Sequence, residues 1–365
     1  MTTDNSKNSK KKICMIVQDP EVKGGIAAVT SGYYGSVLEQ DFDVTYIESY
    51  CDGGKLKKLV KALSAYRKLR RLLRTAAPDL VHVHSSFGPS FFRKYPIIHM
   101  AAKRGIPVVN HIHGSALDEL YTNAPSWKKR MVEKSYGECA KIIVLSEEWK
   151  KKISAIVPAE RIEVVSNYSK IKRELIAQDN LDARFEKKQV LYLGRFDDLK
   201  GVVDIPAIAD IVKKKLPNVT FILAGSGETE PTEAEIKRLH LEETVILPGW
   251  IRGDEKEKLL RESSIFLLPS HMEAMPMSIL EAMGYGLPIV STEVGGIPQV
   301  VEKDVNGKLY RPQDVESMAS GIIEYLSGKE LYDNTAKKSL EIADSKYSFE
   351  AHIKKIESIY HQLLK

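Results

Sequence analysis

Two doubly wound α/β domains are predicted by three features of the chain. Short apolar runs alternate with amphipathic stretches along nearly its whole length, glycine-bearing turns follow many of those runs, and one polar, charge-rich stretch breaks the rhythm midway. Apolar runs that alternate with helical patterns mean parallel strands covered on both faces.

In the first half the expected strands are 13–17, 44–47, 80–84, 108–112, 142–145 and 162–165, with helices between them. The stretch 169–188, poor in strand formers, separates the halves. The second half repeats the pattern with strands 190–193, 220–224, 245–247, 265–268 and 288–290, and 348–364 reads as a closing helix after Tyr347 and Phe349. The domains are therefore expected at 11–170, completed by 348–365, and at 188–347. A linker is expected at 171–187 and a disordered tail at 1–10, where the sequence reads MTTDNSKNSK.

The chain has 365 residues, 43% of them hydrophobic, enough for two domains of ordinary size. No apolar run approaches the roughly 20 residues that span a bilayer, and the N-terminus has no apolar signal-peptide core. Cys14, Cys51 and Cys139 are odd in number and widely separated, so neither a disulfide framework nor a zinc site is indicated and a reducing cytosol is expected.

The net charge of +5 is unevenly placed: residues 1–170 carry 28 Lys+Arg against 17 Asp+Glu, and the remainder 26 against 32. The densest basic stretch, 55–74, places Leu56, Leu59, Val60, Leu63, Tyr66, Leu69, Leu72 and Leu73 at helical spacing among lysines and arginines, from Lys55 to Arg74. It reads either as a domain helix with a solvated face or as a surface that docks on anionic lipid, each basic residue adding about 1 kcal/mol. Nucleic acid is not indicated, because no recognition motif or row of stacking aromatics accompanies the charge.

The most informative segment is LLPSHMEAMPMSILEAMGYGLPIVST, in which Glu273 and Glu281 stand eight residues apart. In a chain that is 28% charged, two such glutamates alone would be solvated helix carboxylates. Their flanks argue otherwise. A short strand ends at Pro269-Ser270, Pro276 suits a first helical turn, and Met277, Ile279, Leu280 and Met283 give the helix an apolar side before Gly284 and Gly286 stop it. Open parallel sheets bind ligands at the carboxyl ends of their strands, where Glu273 would stand. A carboxylate there accepts strong hydrogen bonds from vicinal hydroxyls.

Gly194-Arg195 and Lys200-Gly201 follow a strand directly, and an arginine fork with a lysine can clamp a diphosphate. By itself the segment is equally a surface turn with two solvated cations. Gly24-Gly25-Ile26 opens a helix after the first strand, so its N–H groups can face an anion, although it is not G-x-G-x-x-G and lacks the nicotinamide inference. His113 ends the fourth strand beside Gly114, either as a structural histidine or as a donor to a hydroxyl or phosphate; His82 and His84 share a face of the third strand. Gly225, in Ala224-Gly225-Ser226-Gly227, and Trp250, in Pro248-Gly249-Trp250, follow further strands, and Trp250 offers an indole to a nucleobase. The only D-x-D, Asp41-Phe42-Asp43, precedes a strand in the basic half and reads as a loop, not as a set of metal ligands.

In that order GGI, HIHG, LSE, VVSN, GRFDDLKG, AGSG, LPGW, the glutamate block, TEVGGIP and NGKLY resemble the GT-B glycosyltransferases of family 4, as in bacterial exopolysaccharide, capsule and lipopolysaccharide synthesis. The resemblance covers nearly the whole chain and is most specific from Gly194 onward. It implies two Rossmann-like domains facing each other across a cleft. It also implies retaining, metal-independent transfer from a nucleoside diphosphate sugar, UDP-sugar ahead of GDP-sugar, with no cofactor. Glu281 would bind the ribose and Glu273 the transferred sugar, Arg195 and Lys200 the diphosphate, and Gly24, Gly25 and Ile26 would cap it. His113 would touch the sugar, and Gly194, Gly225, Trp250, Met275, Pro276, Met277 and Ser278 would complete the donor site.

The acceptor expected is a glycan or lipid-linked glycan, met at the cytoplasmic membrane face. The alternatives are a nucleotide-sugar epimerase or hydrolase of the same fold, a soluble small-molecule glycosyltransferase, or a non-catalytic binder. One residue departs from the family, where glycine commonly follows the first glutamate: here it is Ala274. A positive φ would strain alanine by roughly 1 kcal/mol or more, so either the backbone is αR or β there or the donor is held differently.

Overall fold

The computed structural model describes residues 10–114, 116–171 and 181–365. Apart from Lys10, the expected tail lies outside them, as does much of the expected linker. The chain divides into two compact units. One takes the chain up to Val165 together with Ile353–Lys365, the other Ser166–His352.

The first unit is built on a six-stranded parallel sheet of β1 (Lys12–Val17), β2 (Asp43–Glu48), β3 (Leu80–Ser85), β4 (Val108–Ile112), β5 (Lys141–Val144) and β6 (Ile162–Val164), in the order β2-β1-β3-β4-β5-β6. From Ile13 to Val17, and throughout β3 and β4, the strands are buried on both faces, including the polar His82, His84, Ser85, Asn110 and His111 among their apolar residues. Amphipathic helices cover them. Lys55–Thr75 turns Ala62, Ala65, Leu69 and Leu73 inward. Glu147–Ile153 is capped by Ser146, whose Oγ accepts from Trp149 N at 3.3 Å, with acids in its first turn and lysines in its last. From the closing helix, Phe349–Leu363, Tyr360 meets His82 and Phe42. Cys14, Cys51 and Cys139 are free and buried.

The second unit holds β7 (Gln189–Phe196), β8 (Thr220–Gly227), β9 (Val245–Gly249), β10 (Ile265–Leu268), β11 (Ile289–Thr292) and β12 (Gly307–Tyr310), ordered β12-β11-β10-β7-β8-β9. All neighbours are parallel. The strand order reverses between β7 and β10, and in doubly wound sheets the loops leaving such a point are where ligands bind.

Three details differ from the sequence reading. β7 and β8 run on through Gly194-Arg195-Phe196 and Gly225-Ser226-Gly227, pairing Gly194 with Gly225 and Arg195 with Ser226, so these residues are strand and not turn. β12 is an additional edge strand, four residues long, beside β11. Within the expected linker, Leu181–Lys187 is a helix. Its Arg184 is buried and donates to Ser263 O at 3.1 Å and Tyr285 O at 2.9 Å, while Phe185 packs on Tyr332. A guanidinium that satisfies carbonyls inside the unit makes the segment structural despite its charge-rich composition.

Candidate active site

The loops that leave β7 and β10 carry Lys200 and Glu273. After β7, Asp197 caps a short 3-10 turn: its Oδ1 accepts from Lys200 N at 3.1 Å, and its Oδ2 lies 3.3 Å from Arg195 Nε. Gly201 then takes φ +60°, and a Cβ there would stand 2.1 Å from Pro269 O, so glycine is demanded twice. His271 fastens the second loop to the first, through its N–H to Leu199 O at 2.8 Å and its Nε2 beside Asp204 Oδ2 at 3.1 Å. Thr292 Oγ1 donates to Ser270 O at 2.5 Å.

Between these ties Glu273 is buried, and its Oε1 receives Lys200 Nζ and, at 3.0 Å, Ser270 Oγ. No hydrogen bond falls on its Oε2 among the described residues. Its backbone is fixed from behind: a Cβ on Gly295, at φ +54°, would lie 1.8 Å from Glu273 O, and one on Gly296 2.1 Å from Ala274 O. Ala274 is absent from the positive-φ residues and is buried without that strain, so its departure from the family's glycine is met by ordinary backbone.

Pro276, at φ −72° and ψ 123°, precedes the helix Met277–Gly284, so it caps that helix and does not open its first turn. The N–H groups of Met277 and Ser278 belong to the first turn, where a helix has no internal acceptor for them. Met275 is clasped by Asn167, whose side-chain amide donates to Met275 O at 2.9 Å. One turn into the helix, Glu281 Oε1 accepts from Lys256 Nζ at 2.8 Å. Trp250 follows Gly249, φ +83°, with its side chain partly exposed.

Gly194 and Gly225 are required by the unit itself: a Cβ on Gly225 would lie 1.7 Å from Gly194 O, and one on Gly194 2.5 Å from the Tyr192 hydroxyl. Gly24 and Gly25 are different. Both are exposed, a Cβ on either would meet nothing within 4 Å, and neither has a φ in the left-handed region. They stand with Ile26 at the start of the helix Gly25–Ser31, beyond the carboxyl end of β1. Asp43 opens β2 at the amino end of that sheet, away from these loops.

His113 is part of a histidine stack. His84 Nδ1 lies 2.9 Å from His113 Nε2, the rings of His111 and His113 are 4.1 Å apart at 25°, and those of His82 and His111 are 5.6 Å apart at 5°. Nitrogens of His82, His84 and His111 come within 4.8 Å of one another. Within that trio the His82 and His111 rings are stacked, while His84 is tilted by 30° to His82 and by 35° to His111.

The group 1 glycosyltransferase model matches residues 176–341, and the family 4 glycosyltransferase model matches residues 28–168. The chain belongs to these glycosyltransferases. Among its relatives is the UDP-Gal:α-D-GlcNAc-diphosphoundecaprenol α-1,3-galactosyltransferase of Escherichia coli, 25% identical over 82% of this chain and 79% of the relative. Sucrose-phosphate synthase from Thermosynechococcus elongatus shares the GT-B fold with a TM-score of 0.79 at 17% identity, over 97% of this chain and 99% of that one. Anabaena HepE in complex with UDP aligns at a TM-score of 0.71 and 18% identity, over 96% and 100%.

Sequence reasoning about this glycosyltransferase gave no role to Asp197, Ser270, Lys256 or Asn167, and took Gly295-Gly296 only as part of the TEVGGIP motif. Asp197 and Ser270 had a signal, since each lies within three residues of the cation or carboxylate that it orients. Lys256 is 25 residues from Glu281 and Asn167 is 108 from Met275, contacts that only the folded sheet creates. Among the described residues no helix is long and apolar enough to cross a membrane.

Proposed function

We propose that this glycosyltransferase transfers a sugar, with retention and without a metal, from a nucleoside diphosphate sugar to a hydroxyl of a glycan or lipid-linked glycan in surface polysaccharide synthesis. UDP-sugar is the donor favoured over GDP-sugar. The observation that carries this reading is the placement of Lys200 and Glu273 on the two loops that leave the strand-order reversal of the second unit.

In this reading the Lys200 ammonium and the Arg195 guanidinium take the diphosphate and stabilise the charge that grows as it departs, work a metal would otherwise do. Glu273 turns Oε2 toward hydroxyls of the transferred sugar, and Glu281 does the same for the ribose while Lys256 holds its other oxygen. Met275, Pro276, Met277 and Ser278 frame the donor, with first-turn N–H groups toward its phosphates and Trp250 toward the base. Gly24, Gly25 and Ile26 cap the diphosphate and His113 meets the sugar. The departing phosphate accepts the acceptor's proton on the face it leaves, so retention needs no protein nucleophile. The names of the relatives support the choice: one is a UDP-galactose transferase acting on a diphosphoundecaprenol-linked sugar, and HepE was obtained with UDP. A peripheral position on the cytoplasmic membrane face accords with such an acceptor.

The test is a thermal-shift screen of nucleotide sugars, followed by transfer assays with and without EDTA. A donor that raises the melting temperature and supports EDTA-insensitive transfer with α-to-α retention is expected. Conversion of the donor to its epimer, or to free sugar faster than transfer, would replace the reading with an epimerase or hydrolase.

A further inference from the structure

The helix Lys55–Thr75 has two apolar faces, and the first unit uses only one. Ala62, Ala65, Leu69 and Leu73 pack inward against β2 and the helix Pro89–Ala102. Leu56, Leu59, Val60 and Leu63 do not: they are 74, 55, 58 and 41% exposed. Their spacing of three, four and seven residues from Leu56 aligns them in one stripe. Continued down the same side of the helix, that stripe meets Arg67, Arg70, Arg71 and Arg74, all exposed. One surface line is therefore apolar in its first half and guanidinium in its second.

The helix itself carries charge of one sign, and the acids that meet it, Asp19 and Glu48, are paired with Lys61 away from the stripe. The helix contains no acidic residue, and Lys55, Lys57 and Lys58 crowd its first turn, where the positive end of the helix dipole disfavours cations. An anionic surface would offset that repulsion. Bidentate guanidinium contacts suit phosphate groups, while exposed leucines and a valine in the neighbouring turns suit the tops of acyl chains. A protein partner would have to offer an apolar groove bordered by acids along the whole line.

We propose that this stripe docks the enzyme on an anionic phospholipid bilayer, the helix lying in the interface with Leu56, Leu59, Val60 and Leu63 inserted and the four arginines on lipid phosphates. The inference deepens the function proposed above, on which its purpose rests, by giving the place where the acceptor is met. Its observations belong to a surface remote in sequence from the donor loops.

The experiment is flotation of the full chain with vesicles of phosphatidylcholine alone or mixed with phosphatidylglycerol, at low and high salt. Wild type should float only with phosphatidylglycerol present. The Leu56→Ser/Leu59→Ser variant should partition at least roughly tenfold less, because buried apolar area is lost. The Arg67→Gln/Arg70→Gln/Arg71→Gln/Arg74→Gln variant should lose the dependence on lipid charge. All six substituted positions are exposed, and circular dichroism with melting checks that the variants remain folded. Equal flotation of wild type and both variants, absence of flotation by wild type, or a lipid-free dimer that the leucine variant dissolves would each overturn the proposal. Donor-induced thermal shift and transfer to a water-soluble acceptor should be unchanged in these variants. Retained donor binding with absent flotation thus rejects the docking alone, whereas flotation without any donor response rejects the transferase reading alone.

Discussion

Lys200 Nζ is paired with Glu273 Oε1, joining the two loops that leave the strand-order reversal in the second unit. In the proposed function Lys200 takes the diphosphate and Glu273 the sugar, and in the structure the two hold each other. Each keeps its partner oriented, and bound donor competes for both. Lys200→Ala and Glu273→Gln should each lower kcat/KM by two or more orders of magnitude, and the double variant should cost less than the two losses combined, since they share one interaction. Lys200→Ala also leaves a buried carboxylate with only the Ser270 hydroxyl, so denaturant melts should show a loss of about 1–3 kcal/mol. Full activity in both single variants would remove these residues from the mechanism.

The glycines separate into those that the fold demands and those that it leaves open. A Cβ on Gly295 would overlap Glu273 O at 1.8 Å, with φ already at +54°. Gly295→Ala should therefore both destabilise the protein, by about 2 kcal/mol or more, and abolish transfer by moving the carboxylate. Gly25→Ala meets open space, so its melting temperature should stay near that of wild type while KM for the donor rises severalfold or more. Melting curves beside donor titrations check the contrast. A Gly25→Ala enzyme with unchanged KM would mean that no ligand approaches this backbone.

Lys256 holds one oxygen of Glu281 at 2.8 Å and points the carboxylate from outside the helix that carries it. Removing it by Lys256→Met should raise KM for the donor several-fold with little change in kcat, because the ribose is bound before and after the chemical step alike. Glu281→Ala should lose orders of magnitude. If Lys256→Met instead lowered kcat at constant KM, the lysine would belong with the departing phosphate.

The alternation of apolar runs located eleven of the twelve strands among the described residues, because strands covered by helices are mostly apolar. It failed where composition and structure part. Gly194 and Arg195 look like a turn, yet the strand continues through them because Gly225 lets the neighbouring backbone approach. Gly307–Tyr310 escaped as an edge strand too short and polar to stand out. Leu181–Lys187 looked like linker because the burial of Arg184 depends on carbonyls contributed around residues 263 and 285. At the loops that leave β7 and β10 the flanking pattern singled out Lys200 and Glu273, but not that they pair with each other. Helical periodicity likewise gathered every leucine of 55–74 into one apolar side, and only packing tells Leu69 and Leu73 from the exposed Leu56 and Leu59.

Lys94 supplies a pH test of the first unit. It is buried in the helix Pro89–Ala102 and donates to Ser49 Oγ, whose own hydroxyl donates to Val17 O at 2.9 Å. Burial, reinforced by the charge of Arg93, pushes its amine down to about 7 from the usual 10.5. The unfolded chain thus binds a proton between those values that the folded chain refuses, so folding is penalised most at and below pH 7 and the penalty fades as pH rises. Stability should increase by about 2 kcal/mol from this group between pH 7 and about pH 9, below the range in which tyrosines titrate. Lys94→Met removes the amine without orphaning Ser49, which keeps Val17 O as acceptor. The variant should be more stable than wild type at pH 7, with the difference shrinking toward pH 9. Urea melts at each pH check it, and parallel curves for the two proteins would mean that Lys94 folds with its charge intact.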